Sequence, residues 1–198
     1  GSVMALSGMI MAIVMNAGVH PILAVILGVV VGSLAGALNG VLIAKMQLQP
    51  FLVTLGTMSA YRGLTLIISN GLPVRGFSTG YVQVMNSLNS SVPLPVILSL
   101  VLACVAIFVL KYLKFGQYLF ALGGNEEATR LSGIGTAKMK IMTYAFSGFC
   151  SVLAAIIFLG RLGAADPQAG DGYEMNAIAA AAIGGASLAG GKGSIVGT

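Results

Sequence analysis

Charge is what this sequence has least of. Ten Lys and Arg and five Asp and Glu make up 8% of 198 residues, against about 25% in soluble domains. A soluble domain of this length needs a polar skin, and fifteen charges cannot supply one. An ordinary soluble enzyme is excluded. There are only two Cys, which excludes a secreted domain stapled by disulfides. There is a single His and no Trp. His20 sits beside Pro21 and reads as a turn residue, so no His-centred catalytic or metal constellation can be assembled. The ten basic residues do not line one face, which removes the nucleic-acid reading of the +5 charge. What is present is apolar surface: 57% of the residues, with a mean hydropathy of +0.98. That is too apolar for a disordered chain. The remaining class is an integral membrane protein, all-α, folded as a polytopic helical bundle.

Residues 1–44 carry no charge at all, enough for two spans at about 20 residues each. The one break is Asn16-Ala17-Gly18-Val19-His20-Pro21, where Gly and Pro punctuate and Pro21 suits a first helical turn. Spans are expected at 2–17 and 21–44. Lys45 to Pro50 is a tight polar connection, followed by a span at 51–69 interrupted by Arg62, which is expected to snorkel outward or to serve as a pathway contact. Residues 70–92 are a loop rich in Asn, Ser, Gly and Pro, with room for a short interfacial segment. Further spans follow at 93–113 and 139–160. The Ala/Gly-rich stretch 175–191 reads as a half-helix that turns back or as an incomplete span. Cys104 and Cys150 fall inside apolar stretches and read as small packing residues. Neither end carries an anchor, so both ends read as cut, and Gly1-Ser2 is compatible with a cloning scar.

Half of the basic residues lie between Lys111 and Lys140. The positive-inside rule makes the 114–138 loop cytoplasmic. Counting spans from there puts Lys45 inside, and loops 70–92 and 161–174 outside. Loop 161–174 holds three of the five acids: Asp166, Asp171 and Glu174.

Four constellations stand out. Gly28, Gly32, Gly36 and Gly40 recur every four residues, a stripe on which another backbone can close. It drifts around the helix, favouring one crossing partner over a long parallel seam. Polar residues at apolar depth (Asn16, Asn39, Thr54, Thr57, Ser59 and Asn176) read either as interhelical hydrogen bonds or as the lining of a path for a neutral, hydroxyl-rich solute. No carboxylate lies deep in a span, which argues against a proton relay or cation-coupled carrier. The Gly-rich run 184–194 fails the phosphate-loop pattern twice, at Ala186 and at Gly193, so this chain holds no ATP site of its own. Finally, Gly123 to Ile134 reads as a short capped helix in the 114–138 loop. Asn125 is its N-cap, Glu126 and Glu127 lie in the first turn, and Gly133 is the stop. Such a helix can dock in a partner's groove or lie on the bilayer.

The blocks GGNEEATRLSGI at 123–134, YEMNAIAAAAIGGASLAGGKGSIVGT at 173–198 and GTMSAYRGLTLIISNGLPV at 56–74 resemble the permease subunit of bacterial ABC sugar importers. The nearest group is the ribose, xylose, arabinose and galactose type, and within it the ribose permeases. The resemblance covers essentially the whole chain and corresponds to the central part of such a subunit. It implies a bacterial inner-membrane, multi-pass and non-catalytic subunit that imports ribose or a similar monosaccharide by alternating access. It implies a second permease subunit, a cytoplasmic ABC ATPase that carries the ATP and Mg, and a periplasmic or extracellular sugar-binding protein meeting the outer loops. It implies that loop 123–134 is the coupling segment, with Glu126, Glu127, Ala128, Arg130 and Leu131 as docking surface and Gly124, Asn125 and Gly133 shaping its ends. Two other classes remain beside it: an ATP-independent channel or secondary carrier for small neutral solutes, and a membrane-embedded enzyme, for which no acid–base or metal cluster is in sight.

Overall fold

The computed structural model describes residues 1–77, 80–82, 94–187, 190–195 and 197. The interfacial segment expected within 70–92 falls largely outside the described residues. The elements in chain order are α1 (Ser2–Asn16), α2 (Pro21–Lys45), α3 (Pro50–Ser69), β1 (Val74–Arg75), α4 (Leu94–Tyr112), α5 (Lys114–Gly124), α6 (Glu126–Leu131), α7 (Thr136–Leu162), β2 (Ala164–Ala165) and α8 (Tyr173–Ile183). Among the described residues four stretches are long and apolar enough to cross a membrane: α2, α3, Pro95–Tyr112 of α4, and α7. Local chemistry sets their limits. Pro21 and Pro50 open α2 and α3 at the first helical position, where a missing N–H costs nothing. The His20 ring Nδ1 accepts the Ile22 N–H at 3.3 Å, so this turn residue also caps α2. Asn70 closes α3 and Gly163 closes α7, both in the left-handed conformation.

The bundle has two distinct ends. At one, β1 and β2 pair antiparallel, Val74 opposite Ala165 and Arg75 opposite Ala164. At the other, α6 lies beside the start of α7 and the α2–α3 connection. The apolar core sits at the strand end. Its centre is α1, where Met9, Met11 and Ala12 are fully buried. They pack with Ala24, Val25 and Val29 of α2, with Val152, Ala155, Ile156 and Leu159 of α7, and with Phe77 and Tyr81. Every α2 and α7 residue in that group lies in the half of its helix nearer the strands.

Residues 2–17, expected as a span, form a helix enclosed by the other elements. Both ends of α1 meet the strand end: Asn16 Nδ2 donates to the Arg75 carbonyl at 3.1 Å, and Gly1 lies against Gly170 and Glu174. A helix apolar on all sides is buried all round, and α1 meets that condition by packing against α2, α7 and the residues next to the strands.

The α2–α7 seam is built on missing side chains. A Cβ on Gly36 would run into the Tyr144 carbonyl oxygen and lie 3.1 Å from the Gly148 Cα. A Cβ on Gly148 would strike the Gly32 oxygen, and one on Gly40 would lie 2.6 Å from the Ile141 Cα. Gly28 belongs elsewhere, against Met11 of α1. The stripe thus has two partners, and three of its members form a seam along one of them, more extended than a single crossing point. Tyr61 ties α3 to the pair, its hydroxyl donating to the Ala35 carbonyl at 2.9 Å.

The stretch 175–191 does not turn back. α8 starts near Phe158, whose ring meets Tyr173 edge-on at 6.5 Å. It ends at Ile183, and Gly190 and Gly191 are found at the α6 end. There Gly190 and Gly191 lie on Gly123 and Gly124: a Cβ on Gly123 would come within 2.6 Å of the Gly191 nitrogen. No α8 residue is buried. Cys104 is exposed on α4 and Cys150 is partly buried on α7, both free, so Cys104 does not pack as the sequence led us to expect.

Candidate functional site

The α6 end is built from short-range signals. Asn125 adopts extended backbone and its Oδ1 accepts the Ala128 N–H at 3.0 Å, satisfying one of the orphan donors of a helix start. Thr129 is buried, and its hydroxyl donates to the Asn125 carbonyl at 2.8 Å. After Leu131 the chain reverses through Gly133 at φ 81°, a left-handed position that favours glycine. The Gly133 N–H returns to the Arg130 carbonyl at 3.0 Å. Two ion pairs complete the unit. Arg130 Nη2 meets Glu127 Oε1 at 2.7 Å within α6, and Lys140 Nζ meets Glu126 Oε1 at 2.6 Å, which pins α6 to α7. The Arg130–Glu127 pair is solvent-exposed and the Lys140–Glu126 pair partly so, so each contributes on the order of 1 kcal/mol or less.

The outward face of α6 carries Glu127, Ala128, Arg130 and Leu131, and Leu131 is 79% exposed. Gly124 is exposed as well and sits under Gly191. Asn125→Ala is expected to cost about 1 kcal/mol of local stability. Amide exchange at Ala128 to Arg130 should speed up about fivefold while global unfolding is unchanged. Unaltered exchange there would remove the cap from the account.

The polar residues at apolar depth do not converge. Asn16 holds Arg75 at the strand end and is exposed. Asn39 is buried in α2, and its Oδ1 has no hydrogen-bond partner among the described residues. Thr54 and Thr57 donate to the Pro50 and Val53 carbonyls, each at 2.9 Å. Ser59 donates to the Leu55 carbonyl at 3.3 Å from a position about 140° around α3 from Thr54. These three hydroxyls are satisfied inside their own helix. Asn176 is exposed on α8.

Arg62 was undervalued by sequence reasoning. Its Nη1 donates to the Pro167 and Ala169 carbonyls at 2.8 and 3.1 Å, and its Nη2 lies 3.8 Å from Asp171. It clamps the 166–172 turn onto α3 and does not end in solvent. The lone basic residue in an apolar run was the signal; its partners, more than 100 positions away, were not visible. Also missed were Lys140 as the partner of Glu126, Gly148 as the receiver of the glycine stripe, and Tyr81, whose hydroxyl donates to the Ile156 carbonyl at 2.7 Å. Among the described residues no group of three His, Cys, Asp or Glu could hold a metal ion.

Comparison with known proteins agrees with this architecture. Residues 1–198 match the family model described as branched-chain amino acid transport system / permease component. The chain is 46% identical over its whole length to the ribose import permease protein RbsC of Bacillus subtilis strain 168, covering 62% of that protein. It is 43% identical, again over its whole length, to the ribose import permease protein RbsC of Escherichia coli K12, covering 63%. It is 44% identical over 98% of its length to the D-allose transport system permease protein AlsC of Escherichia coli K12, covering 60%. The chain therefore spans about three-fifths of the length of these curated relatives. No solved structure matches it.

Proposed function

The chain belongs to the branched-chain amino acid transport system / permease component family and is a multi-pass membrane protein, and from that premise we propose that it is the membrane subunit of an ATP-driven sugar importer in a bacterial inner membrane. The relatives named for ribose and D-allose favour a neutral monosaccharide, and their similar identities do not separate the two. The subunit is non-catalytic. ATP and Mg belong to a separate cytoplasmic ATPase, a second permease subunit completes the path, and a sugar-binding protein delivers solute at the strand end.

The observation that carries this reading is α6. It is a helix of six residues, capped at its start by Asn125 and stopped by Gly133. It is pinned to α7 by Lys140 and turns an exposed Leu131 outward. Six residues are too few to be stable alone; the chain spends two caps and a cross-helix ion pair to hold this one in place. With the α6 end in the cytoplasm, as the basic residues require, ATPase closure on ATP would displace α6. α7 would carry that displacement to the strand end, shifting access between two states.

The test uses the full-length permease assembled in membranes with its ATPase and binding protein. Leu131→Cys is the position to label, since Thr129 points inward at 5% exposure. Crosslinking from Leu131→Cys to the ATPase should occur and change with nucleotide. No adduct from any exposed position of α6, in an assembled complex, would remove the coupling role and leave an ATP-independent channel or carrier.

A further inference from the structure

A groove of about 390 Å³ lies beside α6. One wall is the α2–α3 connection, through Gln47 and Leu48; the other is Glu126, Glu127 and Arg130 of α6, with Lys140 of α7 closing it. We propose that this groove, with the Lys45–Pro50 connection as its second wall, is part of the surface that receives the ATPase. The inference rests on the function proposed above and extends it from one helix to two segments 80 residues apart in sequence.

Three observations carry it. First, the groove is continuous with the outward face of α6, because Glu127 and Arg130 belong to both. Second, the far wall is a strained segment that exposes apolar side chains. Gln47 holds a φ of 52°, in the left-handed region that is unfavourable for a residue other than glycine. On either side of it Met46 and Leu48 are 62% and 46% exposed. Strain of that kind persists where the surroundings over-determine it, and it clusters at functional sites. Leu48 lines the groove and Met46 lies two positions before it, so the connection gives the groove an apolar rim on one side, the kind of surface that marks a protein contact.

Third, the charges select the occupant. The two carboxylates and two cations are paired with each other at 2.6 and 2.7 Å. A charged ligand would have to break a pair, and a phosphate would meet Glu126 and Glu127. The surface fits a protein segment with a neutral polar tip flanked by apolar side chains, held by Gln47, the Thr136 hydroxyl and the apolar rim.

The experiment places Leu48→Cys and Leu131→Cys, one at a time, in the full-length permease assembled with its ATPase, and attaches a photo-reactive maleimide. Leu72→Cys at the strand end, 68% exposed, is the control. Adducts with the ATPase from both Leu48→Cys and Leu131→Cys, and none from Leu72→Cys, are expected. A second variant, Leu48→Glu, should lower recovery of the ATPase with the permease about tenfold at unchanged permease abundance, because it puts an unpaired carboxylate into a contact. Adducts from Leu131→Cys alone, with Leu48→Glu binding the ATPase normally, would overturn the second wall and leave the coupling helix intact. Adducts from neither position in an intact complex would overturn both. Labelling of lipid only from Leu48→Cys would make the connection a membrane contact and also overturn the inference.

Discussion

Gly36→Leu is expected to abolish accumulation of the folded permease. A Cβ at this position would already overlap the Tyr144 carbonyl oxygen and touch the Gly148 Cα. The obstruction is backbone, which cannot rotate aside as a side chain can. Relief requires α2 and α7 to separate along the whole seam from Gly32 to Gly40. Overpacking a well-filled core costs about 1–3 kcal/mol even where side chains can adjust. Here the cost of opening the helix pair is added, and it is comparable with a large part of the total stability of a domain. Gly28→Ala makes the contrast. Its Cβ meets only the Met11 side chain, Cγ at 2.5 Å and Sδ at 2.6 Å, and a methionine can repack. Membrane abundance and thermal unfolding in detergent would measure both. Equal behaviour of the two variants would sink the division of the stripe between α7 and α1.

Arg62→Met should loosen the strand end by about 2–5 kcal/mol, the combined cost of leaving two buried acceptors without a donor. Pro167 and Ala169 are both buried, and their carbonyls share the Arg62 guanidinium. The Asp171 contact adds little, because it is 3.8 Å long and the Asp171 side chain is 82% exposed. Asp171→Asn is therefore expected to shift stability by less than about 1 kcal/mol. The effect of Arg62→Met should be local as well as global. The Ala169 N–H, bonded to the Asp166 carbonyl at 3.0 Å, should exchange faster by a larger factor than amides in the α2–α7 seam. An unchanged unfolding temperature together with unchanged exchange at Ala169 would show that Arg62 is not the clamp. In the importer proposed above, the 166–172 turn would sit at the end that meets the binding protein. A loosened turn should then raise the sugar concentration needed for half-maximal uptake more than it lowers the maximal rate.

Much of this protein was legible in one dimension. Scarcity of charge placed it in a membrane. Pro21 marked the start of α2, whereas Pro50, read as the end of a polar connection, proved to be the first residue of α3. Asn125, Glu126, Glu127 and Gly133 outlined α6 almost to the residue. Each of these signals acts over a few positions: a cap reaches three residues, a proline fixes its own φ, and a charge resists hydrocarbon wherever it stands. α5 was missed because Gly116, Gly123 and Gly124 read as loop, yet the helix runs from Lys114 to Gly124 and packs beside α4 and α7, where tertiary contact overrides weak propensity.

What the sequence determined by itself was the solvent this chain folds in, the places where its helices start and stop, and the family to which its short motifs belong. Tertiary structure alone decided who meets whom. A uniformly apolar helix such as α1 specifies no packing direction, and only the fold set it against α2, α7 and the strand end. The glycine stripe announced a close approach without naming Gly148 as its partner. Arg62 needed acceptors, and the two it found lie on a turn more than 100 residues away. The α2–α3 connection looked like a plain polar link until the fold set it opposite Glu126 and Glu127. Local stereochemistry and hydration are properties of a residue and its near neighbours. Proximity between distant segments is a property of the packed chain, and it fixed the α6 end, the clamp and the seam.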